Sequence, residues 1–415
     1  MPTIQHFVSH VKQYGNKHKA LYLLSLMILF WATYDGIITF ISPLIMTASG
    51  LSGTQMGIII GTSSISGAFF DFIACRIFKN MFFRRMFLIM FILCFFYPLI
   101  LFQANTFLIY LIAMAMWGVY YDLKNFAEFD FVARHIEPKE HASSFGIIQV
   151  FTSLGYLIAP IIAGLAIGEA IDWKPFLISW IFLGISIIFF IYLIILTKKY
   201  KNKTSDLETI PKKVSFLKEI NLWEKIGRTI LPVLILTLVL NFIDAFFWTI
   251  GPLLAESFRD APQFSGFFMT AYSLPVLLAG WFVGSITAKY GKKKTAFISL
   301  LLGSLLLSTL FLFENFLPII GVIFLSSILM SLSWPAINGA YADYIDETKR
   351  AAKEISGLQD LFTNIGYIIG PIFAGILFDA IGGAAAFSIL GLFGTIIAIV
   401  LLIITPKHIK IKLVS

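Results

Sequence analysis

Charged side chains lie inside long apolar stretches of this 415-residue sequence. Charge is costly in such surroundings and is usually kept there for function. Asp35 and Asp244 are the clearest cases, and each shares its predicted helix face with aromatic and polar residues: Trp31 and Thr39 beside Asp35, and Asn241 and Trp248 beside Asp244. A carboxyl group placed there suits the binding and release of protons. The alternative is a carboxyl group that is hydrogen-bonded between helices and has no role in turnover.

A second polar stretch lies between residues 117 and 128. Lys124 and Glu128 are four residues apart, a spacing that allows an ion pair on one helix face. The same face carries Trp117, Tyr121 and Asn125. We expect Lys124 to contact an anionic group, which is either a substrate or Asp122. The alternative is an internal ion pair near a gate.

Other polar residues fall on helical faces where they could line a cavity. Asp71 is either a further proton site or a partner for Arg76. The remaining candidates for substrate contact are Gln149 and Tyr156 in the first half of the chain, and Trp334, Asn338, Tyr341, Asp360, Asn364 and Tyr367 in the second half.

The composition predicts the kind of element that must hold these residues. Hydrophobic residues make up 58% of the chain and charged residues only 13%, whereas a soluble domain carries about 25% charged residues. A bilayer core needs about 20 apolar residues per helix, and the sequence offers twelve such stretches: 20–48, 55–77, 84–102, 106–133, 144–168, 175–197, 229–254, 264–288, 295–313, 316–342, 355–378 and 383–405. We therefore predict an all-α protein with twelve transmembrane helices in a lipid bilayer.

Basic residues predict the orientation of these spans. Of the 31 lysines and arginines, 28 lie at the two termini, in the middle segment or in alternate loops. Because basic loops stay in the cytoplasm, we expect both termini to be cytoplasmic, in a bacterial inner or plasma membrane. The positive charge is then explained by the orientation of the protein in the membrane, and nucleic acid is not an expected partner.

An internal repeat organises the spans. The pattern Gly146-x8-Gly155-x3-Ala159-Pro160 returns as Gly357-x8-Gly366-x3-Gly370-Pro371, a shift of 211 residues, and Asp35 returns as Asp244 at a shift of 209. Two stretches with nearly the same shift indicate a duplication. We predict a six-helix bundle at 1–197, a cytoplasmic linker at 198–228 and a second six-helix bundle at 229–415.

With these repeats and the basic stretch from Gly284 to Lys294, the chain resembles the major facilitator superfamily over nearly its whole length. The glycine–proline pattern around Pro160 is similar to that of the drug–proton antiporters of this superfamily. The resemblance implies two six-helix bundles around a central cavity and transport by alternating access. For the glycine–proline helix itself, close packing of small residues and a hinge for export remain alternatives.

The sequence contains no nucleophile arrangement, nucleotide-binding motif or metal-ligand cluster, so we expect neither an enzyme nor a cofactor. A lipid-modifying enzyme or receptor scaffold would need a catalytic cluster or a large soluble domain, and the sequence shows neither, so this alternative is disfavoured. The favoured hypothesis is a monomeric secondary transporter that exports a small organic molecule in exchange for protons or another coupling ion. The alternative is an uptake symporter or facilitator for a polar metabolite such as a sugar, polyol or carboxylate.

Overall fold

The computed structural model describes residues 19–77, 82–137, 140–167, 171–197, 216–258, 265–348 and 352–406. Within these residues the regular structure is helical and contains no strand, which confirms the all-α class. The α-helices in chain order are α1 (Lys19–Ala48), α2 (Gly53–Ile77), α3 (Phe83–Gln103), α4 (Phe107–His135), α5 (His141–Ala166), α6 (Lys174–Thr197), α7 (Phe216–Glu256), α8 (Ser265–Tyr290), α9 (Lys292–Leu307), α10 (Phe316–Ser331), α11 (Ser333–Thr348), α12 (Ala352–Ile381) and α13 (Gly383–Ile404).

Each predicted span coincides with a helix, and the tenth coincides with the pair α10 and α11. In the described part of the chain, ten segments are long and apolar enough to cross a membrane, or eleven if the two bent parts of α8 count as one span. The segment without this property is α2, which is 25 residues long but rich in Gly, Ser and Thr. Its small residues serve packing between helices rather than contact with lipid.

The middle segment differs from the prediction. Span seven was expected to begin at residue 229, but α7 begins at Phe216 and runs for 41 residues. From Phe216 onward, the segment predicted as a cytoplasmic linker is the first part of this helix, and its sequence is amphipathic. Ile226 is fully buried, and Gly227 lies against Leu358 of α12. The apolar side of the stretch thus packs on protein, and residues 198–215 lie outside the described part of the chain.

Two bundles are visible in the packing. Helix α1 packs against α5 and α6 in the first half, whereas α7 packs against α12 and α9 against α13 in the second. The halves meet where α2 packs on α12, α5 on α8 and α1 on α7. The division at 198–228 remains a prediction.

Two repeat-related contacts bring the bundles together. A Cβ atom on Gly57 of α2 would collide with the carbonyl oxygen of Pro371 of α12. Likewise, a Cβ atom on Gly266 of α8 would collide with the carbonyl oxygen of Pro160 of α5. Glycine is therefore required for this approach of backbone to backbone. Both contacts lie toward the end of the molecule where α1 ends and α2 begins, which we call the closed end.

Candidate functional site

Asp35 lies at the centre of the first bundle. Its side chain is fully buried on α1. Oδ1 accepts hydrogen bonds from Trp117 Nε1 at 3.0 Å and from the Tyr120 hydroxyl at 2.6 Å, and Oδ2 accepts one from the Tyr156 hydroxyl at 2.6 Å. Helices α4 and α5 thus satisfy a buried carboxyl group with three donors, as a polar group in the membrane requires.

Asp244 occupies the equivalent place on α7. Its Oδ1 accepts a hydrogen bond from the Tyr272 hydroxyl of α8 at 2.6 Å, and its Oδ2 accepts one from the Tyr367 hydroxyl of α12 at 2.6 Å. The residue is only partly buried. Asp244 therefore has fewer donors than Asp35 and more access to its surroundings.

The two acids share one repeated partner. Tyr156 and Tyr367 are related by the 211-residue shift, and each donates to the acid of its own bundle at 2.6 Å. The other donors differ, since Trp117 and Tyr120 come from α4 whereas Tyr272 comes from α8. Duplication thus preserved an aspartate–tyrosine pair, while the rest of each site diverged.

Lys124 and Glu128 form the ion pair expected from their spacing. Lys124 Nζ lies 3.1 Å from Glu128 Oε1, and both residues are buried. Lys124 Nζ also donates to Asn125 Oδ1 at 3.2 Å and lies 5.4 Å from the ring centroid of Trp31 and 5.5 Å from that of Tyr121. Its ion-pair partner is thus Glu128 rather than Asp122. Breaking such a buried pair is costly.

Aromatic rings connect the polar groups. Trp117 and Tyr121 stack at a centroid distance of 5.2 Å, so the ring that contacts Lys124 also touches the indole that donates to Asp35. Tyr156 meets Trp248 of α7 edge-on at 5.8 Å. One tyrosine thus touches both Asp35 and the opposite bundle.

Other predicted residues lie in different surroundings. Asn241 and Tyr341 are buried. The side-chain amide of Asn241 donates to the backbone carbonyl oxygen of Thr237 of α7, and the hydroxyl of Tyr341 is hydrogen-bonded to the hydroxyl of the same threonine. Asn338 accepts a hydrogen bond from Gln359 at 3.3 Å, and this pair is exposed. Five further residues that were predicted to contact substrate are partly or fully exposed: Thr39, Trp334, Asn364, Gln149 and Asp360.

Asp71 has a carboxylate neighbour in each bundle. Asp71 of α2 interacts electrostatically with Asp122 of α4 and Asp360 of α12. Asp71 Oδ1 is buried and has no hydrogen-bond partner among the described residues. The side chain of Arg76, which was predicted as an alternative partner of Asp71, lies outside the described part of the chain. No group of three metal-ligating side chains is present in the described part of the chain.

Two important donors were missed by the sequence reasoning. Tyr120 is a neighbour of the predicted Tyr121, but it is Tyr120 that donates to Asp35. Tyr272 donates to Asp244, but the corresponding residue of the first half is Ser63, so the repeat did not point to this tyrosine. The only sequence signal was a tyrosine within an apolar run, and its partner depends on helix packing.

Known proteins resemble this chain over most of its length. A family model described as Major Facilitator Superfamily matches residues 23–248 and 233–413. The chain belongs to the major facilitator superfamily. The predicted resemblance is confirmed, and this member of the superfamily is a transporter rather than an enzyme.

Relatives and solved structures agree with this assignment. The chain is 24% identical to Multidrug resistance protein 2 of Bacillus subtilis (strain 168), over 89% of this chain and 91% of that protein. It is 26% identical to the Quinolone resistance protein NorA of Staphylococcus aureus, over 65% of this chain and 66% of that protein. Among solved structures, the nucleoside transporter NupG has a TM-score of 0.71 at 15% identity, with 92% of this chain and 98% of that chain covered.

A second solved structure has the same overall shape. A bacterial homologue of the human lysosomal transporter Spinster, in an inward-facing and occupied conformation, has a TM-score of 0.71 at 15% identity. The match covers 94% of this chain and 97% of that one. At this identity the likeness concerns the fold, and it supports two six-helix bundles for this transporter.

Proposed function

We propose that this transporter exports small organic molecules in exchange for protons, with Asp35 and Asp244 as the proton-binding groups. The observation that carries the proposal is the repeated pair of a membrane-embedded aspartate and a tyrosine, Asp35 with Tyr156 and Asp244 with Tyr367. Ionisable groups within a membrane protein's interior commonly mark ion pathways.

The tyrosines provide a route from protonation to movement of the bundles. Tyr156 donates to Asp35 and also touches Trp248 of the opposite bundle. Hydrogen bonds to a carboxylate favour its charged form, and desolvation favours its neutral form. A bundle movement that withdraws Tyr156 removes one donor from Asp35 and so favours proton uptake. Proton binding and the arrangement of the bundles are thereby coupled.

The site for the transported molecule lies between the bundles, beside this machinery. Trp117, Tyr121, Tyr156 and Trp248 offer aromatic surface there, each of them only partly buried. Lys124 has its charge balanced by Glu128, so it supports the network around Asp35 more readily than it binds an anionic substrate. This favours export of aromatic organic molecules over uptake of a carboxylate.

The direction of transport rests on the relatives of this chain. The alignment with a multidrug resistance protein and a quinolone resistance protein favours export. The basic loops favour cytoplasmic termini, and the closed end then faces outward. The structure is in that case closed toward the outside, an arrangement through which exporters and importers both pass.

Uptake of a polar metabolite is the second candidate. Asn338, Gln359 and Gln149 are polar side chains near the end opposite the closed end, and they suit recognition of hydroxyl groups. A sugar, polyol or nucleoside is the corresponding class of probe.

Flux in membrane vesicles of known orientation tests the proposal. A quinolone, a nucleoside and a sugar are supplied separately to vesicles that contain the purified transporter and carry an imposed proton gradient. We expect the quinolone to move against the direction of proton flow. Movement of a nucleoside or sugar in the same direction as protons, without quinolone flux, would establish the uptake candidate instead.

A further inference from the structure

Asp379 lies near the end of α12 and contacts the beginning of α2 in the opposite bundle. Its Oδ1 accepts a hydrogen bond from the backbone N–H of Gly53 at 2.7 Å. Its Oδ2 accepts hydrogen bonds from the backbone N–H of Thr54 at 2.8 Å and from the Thr54 hydroxyl at 2.7 Å. One side chain thus makes three hydrogen bonds across the closed end.

Helix α2 also has a cap of its own. The Gln55 N–H donates to Ser52 Oγ at 3.2 Å, and the Ser52 N–H donates to Gln55 Oε1 at 3.0 Å, which together form a capping box. A helix start leaves several backbone N–H groups without a partner inside the helix. The capping box leaves those of Gly53 and Thr54 to be satisfied, and Asp379 supplies the acceptors.

Close backbone packing brings the carboxylate into place. A Cβ atom on Gly375 would collide with the carbonyl oxygen of Gly53, and a Cβ atom on Gly53 would lie 2.7 Å from Asp379 Oδ1. A larger side chain at either glycine would separate the two helices at this point. The negative charge of Asp379 is also favourable at the positive end of the α2 dipole.

The repeat-related crossing of α5 and α8 is built differently. There the Thr270 hydroxyl donates to the Leu157 carbonyl oxygen at 3.3 Å, beside the contact of Gly266 with Pro160. The residue 211 positions before Asp379 is Gly168, which has no side chain to act as an acceptor. The aspartate itself is therefore not part of the repeated sequence pattern.

We propose that Asp379 is the latch of the closed end, a positioning residue whose hydrogen bonds to α2 favour the closed arrangement and break once in each transport cycle. Because α2 keeps its own capping box when Asp379 withdraws, opening breaks the bonds between bundles without unwinding the helix. The inference rests on alternating access by this transporter, and it depends on neither the direction of transport nor the coupling ion.

Distance measurements between spin labels test the latch without any substrate. Labels are attached at Asn105→Cys and Glu314→Cys, exposed positions in the α3–α4 and α9–α10 connections, in a full-length chain that also carries Cys75→Ser and Cys94→Ala. The labelled protein is reconstituted in lipid nanodiscs. We expect Asp379→Ala to lower the ratio of closed to open populations about fivefold, equivalent to about 1 kcal/mol, with longer distances gaining population.

Three further variants separate the latch from general damage. Asp379→Asn keeps the shape and loses the charge, so it gives a smaller shift and carries the test if Asp379→Ala does not fold. Thr54→Ala removes only the hydroxyl bond and should shift the populations least. Ser52→Ala removes the helix's own cap, so we expect a lower melting temperature and unchanged distances. Distances unchanged in both Asp379 variants, or shifted as much by Ser52→Ala, would overturn the proposal.

Discussion

The acid sites of the two bundles differ in how completely they are enclosed. Asp35 is fully buried, accepts three hydrogen bonds and interacts electrostatically with Lys124. Asp244 is partly buried and accepts hydrogen bonds from two tyrosines. The first site is thus an enclosed charge network, whereas the second is a simpler carboxyl group that is more exposed.

This difference separates what the duplication kept from what each half acquired. The aspartate and one tyrosine were kept in both halves. The ion pair of Lys124 and Glu128 is present in the first half, whereas in the second half Tyr341 of α11 bonds to Thr237. We infer that the first bundle depends on its buried charges for stability, while the second bundle tolerates the loss of its own buried acid better.

Loss of the ion pair should give the largest effect. Glu128→Ala leaves Lys124 as a buried cation without its counter-ion, and removal of one partner of a buried pair typically costs about 3–5 kcal/mol. We expect a large fall in the thermal unfolding temperature of the purified protein in detergent.

The matched control removes both charges together. The double variant Lys124→Met with Glu128→Leu fills similar volume with apolar side chains, and such replacements are often close to neutral. Its unfolding temperature should return most of the way to that of the parent. A double variant as unstable as Glu128→Ala would mean that packing, rather than charge, sets the stability of this region.

Truncation of the two acids should give the next largest effect, and it should be unequal. Asp35→Ala leaves Trp117, Tyr120 and Tyr156 without their buried acceptor, and we expect a total loss of about 2–3 kcal/mol, because a stranded buried group costs about 1–3 kcal/mol and the three side chains can partly relax. Asp244→Ala strands two hydroxyl groups in a more accessible place, where water can replace the acceptor, so we expect a loss of about 1–2 kcal/mol. Chemical or thermal unfolding of both variants measures the difference. Equal losses would contradict the contrast between an enclosed and an accessible site.

The smallest effect should come from the repeated tyrosines, and here the halves should behave alike. Tyr156→Phe and Tyr367→Phe each remove one hydrogen bond to an acid that keeps its other donors, so we expect each to cost about 0.5–1.5 kcal/mol. We expect similar shifts in unfolding temperature for the two variants. Tyr192→Phe, on the exposed side of α6, is the control and should cause little change. A shift in only one of the tyrosine variants would show that the repeat no longer has a common role.

Much of the architecture could be predicted from the sequence, because lipid imposes strong constraints on composition. The apolar stretches and the repeat of Asp35 as Asp244 were enough to predict the helices and the two halves. The beginning of α7 could not be predicted, since residues 216–228 are polar on one side and resemble a surface segment. The contacts of Trp223 and Gly227 with α12 show that this segment continues into the membrane-spanning helix rather than lying apart from it.

The candidate site was predictable in its acids and less so in their partners. Helical periodicity assigns a residue to a face, but it does not decide which of two adjacent tyrosines, Tyr120 or Tyr121, reaches Asp35. That choice depends on the rotation of α4 against α1. Asp379 gave no signal, because a carboxylate at the end of a span also fits a solvated loop. Its contact with α2 exists only through the approach of two helices that are far apart in sequence.

Coupling of transport to protons by Asp35 and Asp244 is tested most directly by measuring it separately from substrate movement. Asp35→Asn, Asp244→Asn and the double variant are reconstituted in liposomes, with Asp172→Asn, an exposed acid outside the spans, as the control. A quinolone is then followed both in exchange at equal pH and in uphill movement driven by a proton gradient. We predict that exchange persists in the aspartate variants, whereas gradient-driven accumulation is lost in them and kept in the control. Full gradient-driven accumulation by the double variant would contradict the account.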